Sequence, residues 1–260
     1  MNLQALLALF DQEMRIDIEY PEARKEVLPD VVRFVRPAPG MNFVSYSSLD
    51  PATAANVIQE QVTYFAPMEQ PFEWLVYEHD RPLGLIDQLS QYGFRPDDDP
   101  SVVMLLKAED APPALLAPVT VDLRAITRRE ELADVIMVLE TVYGGDFGWV
   151  TQRLGGHLEI PGYLSVRVAR VDGQPASVAW MYLHPNSQFA SLWAGSTVAT
   201  YRGRGLYTAL LAARVQEAIQ RGYRYTIVDT NPNSRPIVAK YGFRPLTVCH
   251  SCRWQGEPAA

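Results

Sequence analysis

The sequence predicts an α/β fold in which two related halves each form a mixed sheet with helices packed on it. A repeat carries this prediction, because the pentapeptide at Tyr92–Pro96 recurs unchanged at Tyr241–Pro245. Each copy follows a strand-like and then a helix-like run and precedes another strand-like run, so the order strand, helix, Gly-Phe, strand occurs twice. A Pro-rich stretch at 111–118 is typical of a linker. We therefore expect an N-terminal half at 1–110 and a second domain at 119–260.

The first half opens with an amphipathic stretch, Met1–Arg15, that predicts a helix. At the junction 47–51, Asp50 is expected to cap the following helix, with Pro51 in its first position. That junction has no glycine and no arginine. The remaining expected elements are strands at 31–35, 42–46, 72–77 and 102–106 and helices at 52–65 and 82–91.

The second half begins with a predicted capping box from Thr127 to Glu130. The helix after it should bury Leu132, Ile136, Leu139 and Tyr143 and end at Gly144-Gly145. Asp172-Gly173 is a strong hairpin signal between two apolar runs. Further strands are expected at 163–171, 176–183, 189–198, 225–230 and 246–253, and helices from about 206 to Gly222 and at 234–240.

Composition excludes several classes of protein. The 23 lysines and arginines against 30 aspartates and glutamates give a net charge of −7, which disfavours a nucleic-acid binder. No apolar run approaches the ~20 residues of a membrane helix, so we expect no membrane partner and a cytoplasmic location. Cys249 and Cys252 lack the further ligands of a zinc site, so we expect plain thiols and no metal.

One segment of the sequence has the features of an anion-binding loop. Residues 198–208 join a predicted strand to a predicted helix and contain two glycines and two arginines within four positions, Arg202–Gly205. Such a loop offers backbone N–H groups and the positive end of a helix dipole to a diphosphate. Residues 201–224 hold five arginines and one glutamate, which favours an anion site. The loop lacks the lysine of a Walker loop and the third glycine of a dinucleotide fingerprint.

These residues resemble the GNAT superfamily of N-acetyltransferases, whose acetyl-CoA signature is Arg/Gln-x-x-Gly-x-Gly/Ala. Residues 202–207 match it except that Tyr207 replaces the last Gly or Ala. A later helix that opens near Asn231 and closes on Gly242-Phe243 matches a second family feature. The resemblance covers 119–253 well and 30–108 weakly. It implies a tandem GNAT-like fold whose N-terminal copy is degenerate and lacks the signature.

The resemblance also implies a mechanism. A primary amine, on a small molecule or a peptide, would attack the thioester of acetyl-CoA directly. The N–H of Val198 would polarise the thioester carbonyl. Asn231 would bind the pantetheine arm. Cofactor contacts are expected along the strand end and the loop, at Val198, Ala199, Thr200, Arg202, Gly203, Arg204, Gly205, Leu206, Tyr207 and Thr208.

The sequence does not determine which groups transfer the protons. In the family, the acid that protonates the thiolate is often a tyrosine four residues before the Gly of Gly-Phe, and here that position is Val238. Ser234, another tyrosine or water is the expected substitute. For the base, Glu140, Asp146, Asp229 and His157 are candidates, with Glu140 named for the site. Trp193 is expected in the core or in the substrate wall. The alternative function is a non-catalytic acyl-CoA-binding or sensory module.

Overall fold

Helices and strands alternate along residues 2–38 and 40–255, the part of the chain that this computed structural model describes. The helices are α1 (Leu3–Asp11), α2 (Ala54–Phe65), α3 (Leu85–Ser90), α4 (Pro113–Leu116), α5 (Ala133–Tyr143), α6 (Trp149–Leu158), α7 (Leu206–Gln220) and α8 (Arg235–Ala239). The strands are β1 (Arg24–Val27), β2 (Val31–Val35), β3 (Asn42–Ser47), β4 (Phe72–Tyr77), β5 (Phe94–Pro96), β6 (Ser101–Lys107), β7 (Leu123–Ile126), β8 (Leu164–Val171), β9 (Gln174–Leu183), β10 (Phe189–Thr197), β11 (Tyr225–Thr230) and β12 (Arg244–Trp254).

Two compact units divide the chain. Unit 1 takes the described residues of Met1–Val103, Thr230–Arg235 and Pro245–Ala260, and unit 2 takes Met104–Asp229 and Pro236–Arg244. Two C-terminal segments thus belong to unit 1. The sequence alone did not predict this, because it depends on contacts between distant parts of the chain. The Pro-rich stretch 111–118 lies in unit 2 and contains α4. Gln216 on α7 holds it in place by donating from its side chain to the carbonyls of Leu115 and Ala117.

Unit 1 contains the strand order β1-β2-β3-β4-β12, with β5 paired to β12. The β3–β4 pair is parallel, whereas β4–β12 is antiparallel. Helix α2 packs the apolar face of Val57, Ile58, Val62 and Phe65 into a core that includes Phe72. The helix predicted at Met1–Arg15 is present as α1, followed by a π-helical turn at Gln12–Ile16.

Unit 2 contains the strand order β11-β10-β9-β8-β7, in which β10–β11 is parallel and the other pairs are antiparallel. The predicted hairpin turn between β8 and β9 is confirmed, with positive φ at Asp172 and Gly173. One face of this sheet packs on α5 and α6 through Val135, Val138 and Leu154, and the other packs on α7 through Leu206 and Leu210.

The same local order occurs in both units and supports the duplication. In unit 1 the parallel pair β3 and β4 is joined by α2, and in unit 2 the parallel pair β10 and β11 is joined by α7. The repeated pentapeptide adopts one conformation twice. Gly93 and Gly242 have φ of 85° and 88°, and the phenylalanine after each is buried. The predicted α/β fold, with helices packed on mixed sheets, is therefore confirmed in its elements.

Three local predictions for α5 and α6 need correction. The capping box uses Glu131 rather than Glu130, because the Glu131 carboxylate accepts from the amides of Thr127 and Arg128. Tyr143 is 64% exposed rather than buried, and its hydroxyl lies 2.8 Å from the Ser196 hydroxyl on β10. Helix α6 was not predicted, because its Gly155-Gly156 pair weakens the helical signal.

Candidate active site

The loop before α7 presents an uninterrupted run of backbone N–H groups. Residues 199–201 form a 3-10 turn, and Gly205 caps α7 with φ of 75°. Within the described residues, the amides from Gly203 to Thr208 donate no hydrogen bond, whereas the next amide, Ala209, donates to the Gly205 carbonyl. Converging free amides at a helix N-terminus bind anions. The loop predicted to bind a diphosphate therefore exposes backbone donors of the kind that anions accept.

The two glycines keep this cradle open. Gly203 and Gly205 both have positive φ, and a Cβ on either would meet no protein atom within 4 Å. The space above the loop is therefore free for a ligand. Arg202 is anchored through Nε to the Thr197 carbonyl, 3.3 Å away, and Arg204 lies over the Tyr201 ring. These two guanidinium groups remain at the surface beside the amides.

Residues 201–224 present less free positive charge than their five arginines suggest. Arg214 is buried inside α7, and Arg221 pairs with Glu217 at 2.7 Å. Arg224 donates to the side chain of Gln188. Of the five arginines, only Arg202 and Arg204 therefore lie at the loop beside its amides.

Strands β10 and β11 separate next to this loop. Their parallel pairing runs from Phe189–Tyr225 to Leu192–Val228 and then ends, although β10 continues to Thr197. A bulge follows directly, with φ of 57° at Ala194 and 101° at Gly195. The β11-facing edge of residues 193–197 thus lacks a strand partner. An extended amide-bearing chain can pair with such an edge.

Tyr207 fills the inner side of this bulge. A Cβ on Gly195 would lie 2.8 Å from Cε2 of Tyr207, so glycine is needed where the ring packs. The loop accommodates a tyrosine at the last position of the family signature because the Tyr207 ring packs against the bulge and does not cover the loop amides. Burial raises the pKa of Tyr207, and the nearby Arg214 cation opposes the rise.

The residues predicted to hold the cofactor at the end of β10, Val198–Thr200, do not continue the strand. Residues 199–201 form a 3-10 turn, and the Val198 amide donates to the Ala176 carbonyl at 3.0 Å. That N–H is therefore already used, and it cannot polarise a thioester unless this bond breaks. Within the described residues, the part of β10 without a strand partner on the β11 side is 193–197, where the carbonyls of Trp193 and Thr197 accept from Arg214 and Arg202.

A buried arginine supports that edge from the α7 side. Arg214 donates from Nη1 to the carbonyls of Trp180 and Trp193, and from Nε to Leu210. Burial lowers its pKa to about 10, while Tyr207 acts in the opposite direction. Because no carboxylate pairs with it within the described residues, the cation serves to fix β9 and β10 beside the bulge.

Asp229 is the carboxylate that the structure places at the separation of the strands. It follows Val228, the last residue of β11 paired with β10, and therefore lies opposite Trp193 on the same face of the sheet. Its side chain reaches solvent, yet the surrounding protein disfavours its charge and raises its pKa to about 6. A carboxylate of this kind can act as a general base near neutral pH.

The other base candidates have different surroundings. His157 is buried, and its Nδ1 lies 3.0 Å from the Tyr182 hydroxyl, so it is not the surface residue that was expected. Asp146 accepts from the Gly148 amide ahead of α6. Glu140 lies exposed on the last turn of α5.

Asn231 and Ser234 contact each other in unit 1. The Asn231 side-chain oxygen accepts from the amides of Asn233 and Ser234, and the Ser234 hydroxyl accepts from the Asn231 amide. The carbonyl end of Asn231 therefore organises the turn ahead of α8.

Val238, at the position where the family often has the tyrosine that protonates the thiolate, lies in the core. Val238 is fully buried, and its carbonyl accepts from the Phe243 amide. Tyr241, which sequence reasoning did not single out, instead places its hydroxyl 3.0 Å from the Thr208 hydroxyl in the first turn of α7. The signal was present, since Tyr241 is the first residue of the second repeat copy.

Comparison with known proteins supports the resemblance. Residues 140–243 match the family model described as Acetyltransferase (GNAT) family. This segment is therefore similar to a GNAT acetyltransferase domain. No curated protein sequence matches the chain.

Solved structures extend the likeness beyond this segment. A GCN5-related N-acetyltransferase from Kribbella flavida has a TM-score of 0.70 at 16% identity, covering 99% of this chain and 95% of its own. A tandem GNAT protein from the clavulanic acid biosynthesis pathway has a TM-score of 0.64 at 13% identity, covering 94% and 87%. A GCN5-related N-acetyltransferase from Sphaerobacter thermophilus has a TM-score of 0.59 at 17% identity, covering 90% and 83%. At these identities the likeness concerns the fold.

The corresponding place in unit 1 is filled by protein. Parallel pairing of β3 and β4 ends at Val44–Trp74, and the next carbonyl on β3, that of Ser45, accepts from Nε of Arg15 at 2.9 Å. Arg15 is buried and pairs with Asp80 through both terminal nitrogens at 2.7 Å. Burial alone would lower the pKa of Arg15, but the bonds to Asp80 raise it.

The junction ahead of α2 in unit 1, at residues 47–51, also differs from the loop before α7. The Asp50 carboxylate accepts from the Ala52 amide, and the Asp50 carbonyl accepts from the amides of Thr53 and Ala54. The first turn of α2 starts at Ala54, later than predicted. This junction offers a carboxylate and bonded amides where the loop before α7 offers free amides.

Within the described residues, no group of three or more His, Cys, Asp or Glu side chains has the arrangement of a metal site. The described helices include none that is both long and apolar enough to cross a membrane.

Proposed function

We propose that the chain is an acetyl-CoA-dependent N-acetyltransferase that acetylates a primary amine by direct attack on the thioester. The observation that carries this proposal is the run of free amides from Gly203 to Thr208, beside the unpaired edge of β10. A diphosphate fits the amides and the open space over Gly203 and Gly205. An amide-bearing pantetheine arm fits the edge at 193–197.

Within this proposal, each part of the chain has a distinct task. The amides of the loop and the side chains of Arg202 and Arg204 hold the diphosphate, and Tyr241 supports the first turn of α7 through Thr208. Ala199 and Thr200 lie next to the diphosphate in this proposal, and they form no strand pairing with the cofactor.

The proton and the carbonyl oxygen need separate groups. Acetyl-CoA supplies the activated acetyl group when bound. We assign polarisation of the thioester carbonyl to the unpaired edge of β10, in place of Val198. Asp229 takes the proton of the attacking ammonium, in preference to Glu140. As the C–N bond forms, the C–S bond breaks, the nitrogen releases its second proton to water, and the departing sulfur takes one proton from water.

Solvent is the simplest source for that last proton. Val238 carries no acidic hydrogen, and the Ser234 hydroxyl is engaged with Asn231. A thiol with a pKa near ~8.5 leaves as a fairly stable anion, so the reaction does not require a dedicated acid.

Release of free thiol from acetyl-CoA, measured across a panel of primary amines, tests the proposal. We expect amine-dependent thiol release and an N-acetylated product by mass spectrometry. Tight acetyl-CoA binding without release for any amine would instead support the non-catalytic acyl-CoA-binding module. Gly205→Val is the control, since its loss of release ties the activity to this loop.

A further inference from the structure

A single side chain, that of Tyr207, closes the α7 side of the strand separation. Its ring packs against the bulge of β10, where a Cβ on Gly195 would lie 2.8 Å from Cε2 and 3.7 Å from Cζ of the ring. Within the described residues the Tyr207 hydroxyl makes no hydrogen bond, so packing alone holds the ring in place. The family signature has Gly or Ala at this position, so the ring is a property of this chain.

A buried cation lies behind that ring. Arg214 follows Tyr207 by two turns of α7, so both side chains project from the same face of the helix. The Arg214 guanidinium is buried and donates from Nη1 to the carbonyls of Trp180 and Trp193, each at 3.2 Å. The space behind the ring is therefore occupied by a charged group that is bound to the backbone, and an apolar chain that reached it would desolvate a cation.

The paired strands close a second direction. Strands β10 and β11 are hydrogen-bonded up to Leu192–Val228, and paired strands lie only about 4.8 Å apart. A chain that extends from the edge at 193–197 toward that pair meets two bonded backbones. It cannot pass between them.

The third direction is the one that the attacking amine needs. Trp193, which is 41% exposed, and Asp229 face the side of the sheet opposite α7. Because the proposed base lies there, the nitrogen approaches the thioester from this side. A long acyl chain that turned this way would take the place of the amine.

We propose that Tyr207 limits the acyl donor to acetyl-CoA and propionyl-CoA, because its ring ends the space into which a longer acyl chain would extend. This inference rests on the proposed function and defines the acyl group that the same site transfers. A butyryl or hexanoyl chain either meets the Tyr207 ring or turns toward Asp229 and excludes the amine. Removal of the ring opens the α7 side, and the vacated space is comparable in bulk to the methylene groups by which hexanoyl exceeds acetyl.

A series of acyl donors tests the inference on the wild-type protein. Thiol release from acetyl-, propionyl-, butyryl- and hexanoyl-CoA is measured with a primary amine that the protein acetylates. Forcing extra methylenes into a closed site lowers kcat/KM, and we expect the values for butyryl-CoA and hexanoyl-CoA to lie at least roughly tenfold below that for acetyl-CoA. Equal use of all the donors would overturn the proposal.

Three substitutions of Tyr207 separate the ring from the hydroxyl. Tyr207→Ala should raise the ratio of kcat/KM for hexanoyl-CoA to that for acetyl-CoA by more than about tenfold, since each buried methylene contributes roughly fourfold. Tyr207→Leu, which keeps more of the packing, should raise the corresponding ratio for butyryl-CoA. Unchanged ratios in these two variants would refute the acyl limit.

Tyr207→Phe is the matched control, because it keeps the ring and breaks no hydrogen bond within the described residues. It should keep the wild-type order of donors. An equal change of the donor ratio in Tyr207→Phe and Tyr207→Ala would assign the effect to the hydroxyl and contradict the role of the ring.

Failure of the proposed function is distinguishable from failure of this inference. If no amine causes thiol release, calorimetric titration with acetyl-CoA and hexanoyl-CoA compares the wild type with the three variants. A gain in hexanoyl-CoA affinity relative to acetyl-CoA in Tyr207→Ala, with none in Tyr207→Phe, supports the acyl limit in a protein that binds without transfer. The same ratio of affinities in all the proteins refutes the limit alone, and no binding of either donor to the wild type refutes both the limit and the proposed function.

Discussion

Replacing Gly205 with valine should abolish tight acetyl-CoA binding while the protein stays folded. Gly205 has φ of 75°, and a side chain there would enter the open space over the free amides without touching protein. The left-handed backbone costs a non-glycine residue roughly 1–2 kcal/mol, which is less than the stability of an ordinary domain. A valine side chain holds the diphosphate away from the amides.

The loss in binding should be much larger than the loss in stability. A hydrogen bond to a charged group contributes about 1.5–3 kcal/mol, so losing two costs roughly 3–6 kcal/mol. At 1.4 kcal/mol for each factor of ten, affinity falls by about 10² to 10⁴.

Gly222→Val is the matched control for this experiment. Gly222 has φ of 85° and equally open surroundings, but it lies at the other end of α7. Denaturant unfolding should show similar losses of stability for the two variants. Calorimetry with acetyl-CoA should show a loss of affinity for Gly205→Val alone. Wild-type affinity in Gly205→Val, or an equal loss in Gly222→Val, would refute the assignment of the loop.

Three further predictions concern Asp229, Val238 and Arg15. The pKa of Asp229 is raised from 3.8 to about 6, so the fold favours the neutral acid; this contribution is complete below about pH 4 and lost as pH rises through 6, whereas the base requires the carboxylate. Amine acetylation should therefore fall below pH 6, and Asp229→Asn should be slow at every pH; a wild-type pH–rate profile in that variant would exclude Asp229 as the base. Val238→Tyr should destabilise the protein by about 1–3 kcal/mol in denaturant unfolding, because the site is fully buried, and an unchanged midpoint would show that the site has room. Arg15→Met should cost roughly 3–5 kcal/mol by leaving Asp80 buried and unpaired; acetyl-CoA affinity should hold, and a variant as stable as wild type would contradict the role of Arg15.

Local signals predicted those features that depend on short stretches of chain. Asp172-Gly173 determined a hairpin, Gly144 ended α5, and Gly203 and Gly205 formed an open loop ahead of α7 because each needs a positive φ that glycine tolerates. The repeated Tyr-Gly-Phe-Arg-Pro was sufficient to predict duplication, because its glycine and buried phenylalanine require the same surroundings twice.

Features that depend on distant contacts could not be predicted in this way. The use of the Val198 amide depends on Ala176, more than twenty positions away. The burial of Arg214 depends on carbonyls supplied by β9 and β10. Asp229 resembled an ordinary strand-end residue until pairing showed that β10 leaves β11 one residue earlier.

Calorimetric titration of the whole chain with acetyl-CoA tests the central claim most directly, because the two units differ in one decisive respect. The loop before α7 has free amides, whereas Arg15 fills the strand separation of unit 1 and Asp50 occupies the helix junction. We predict a stoichiometry near one per chain. A value near two, or no binding, would contradict the assignment of a single acetyl-CoA site to unit 2.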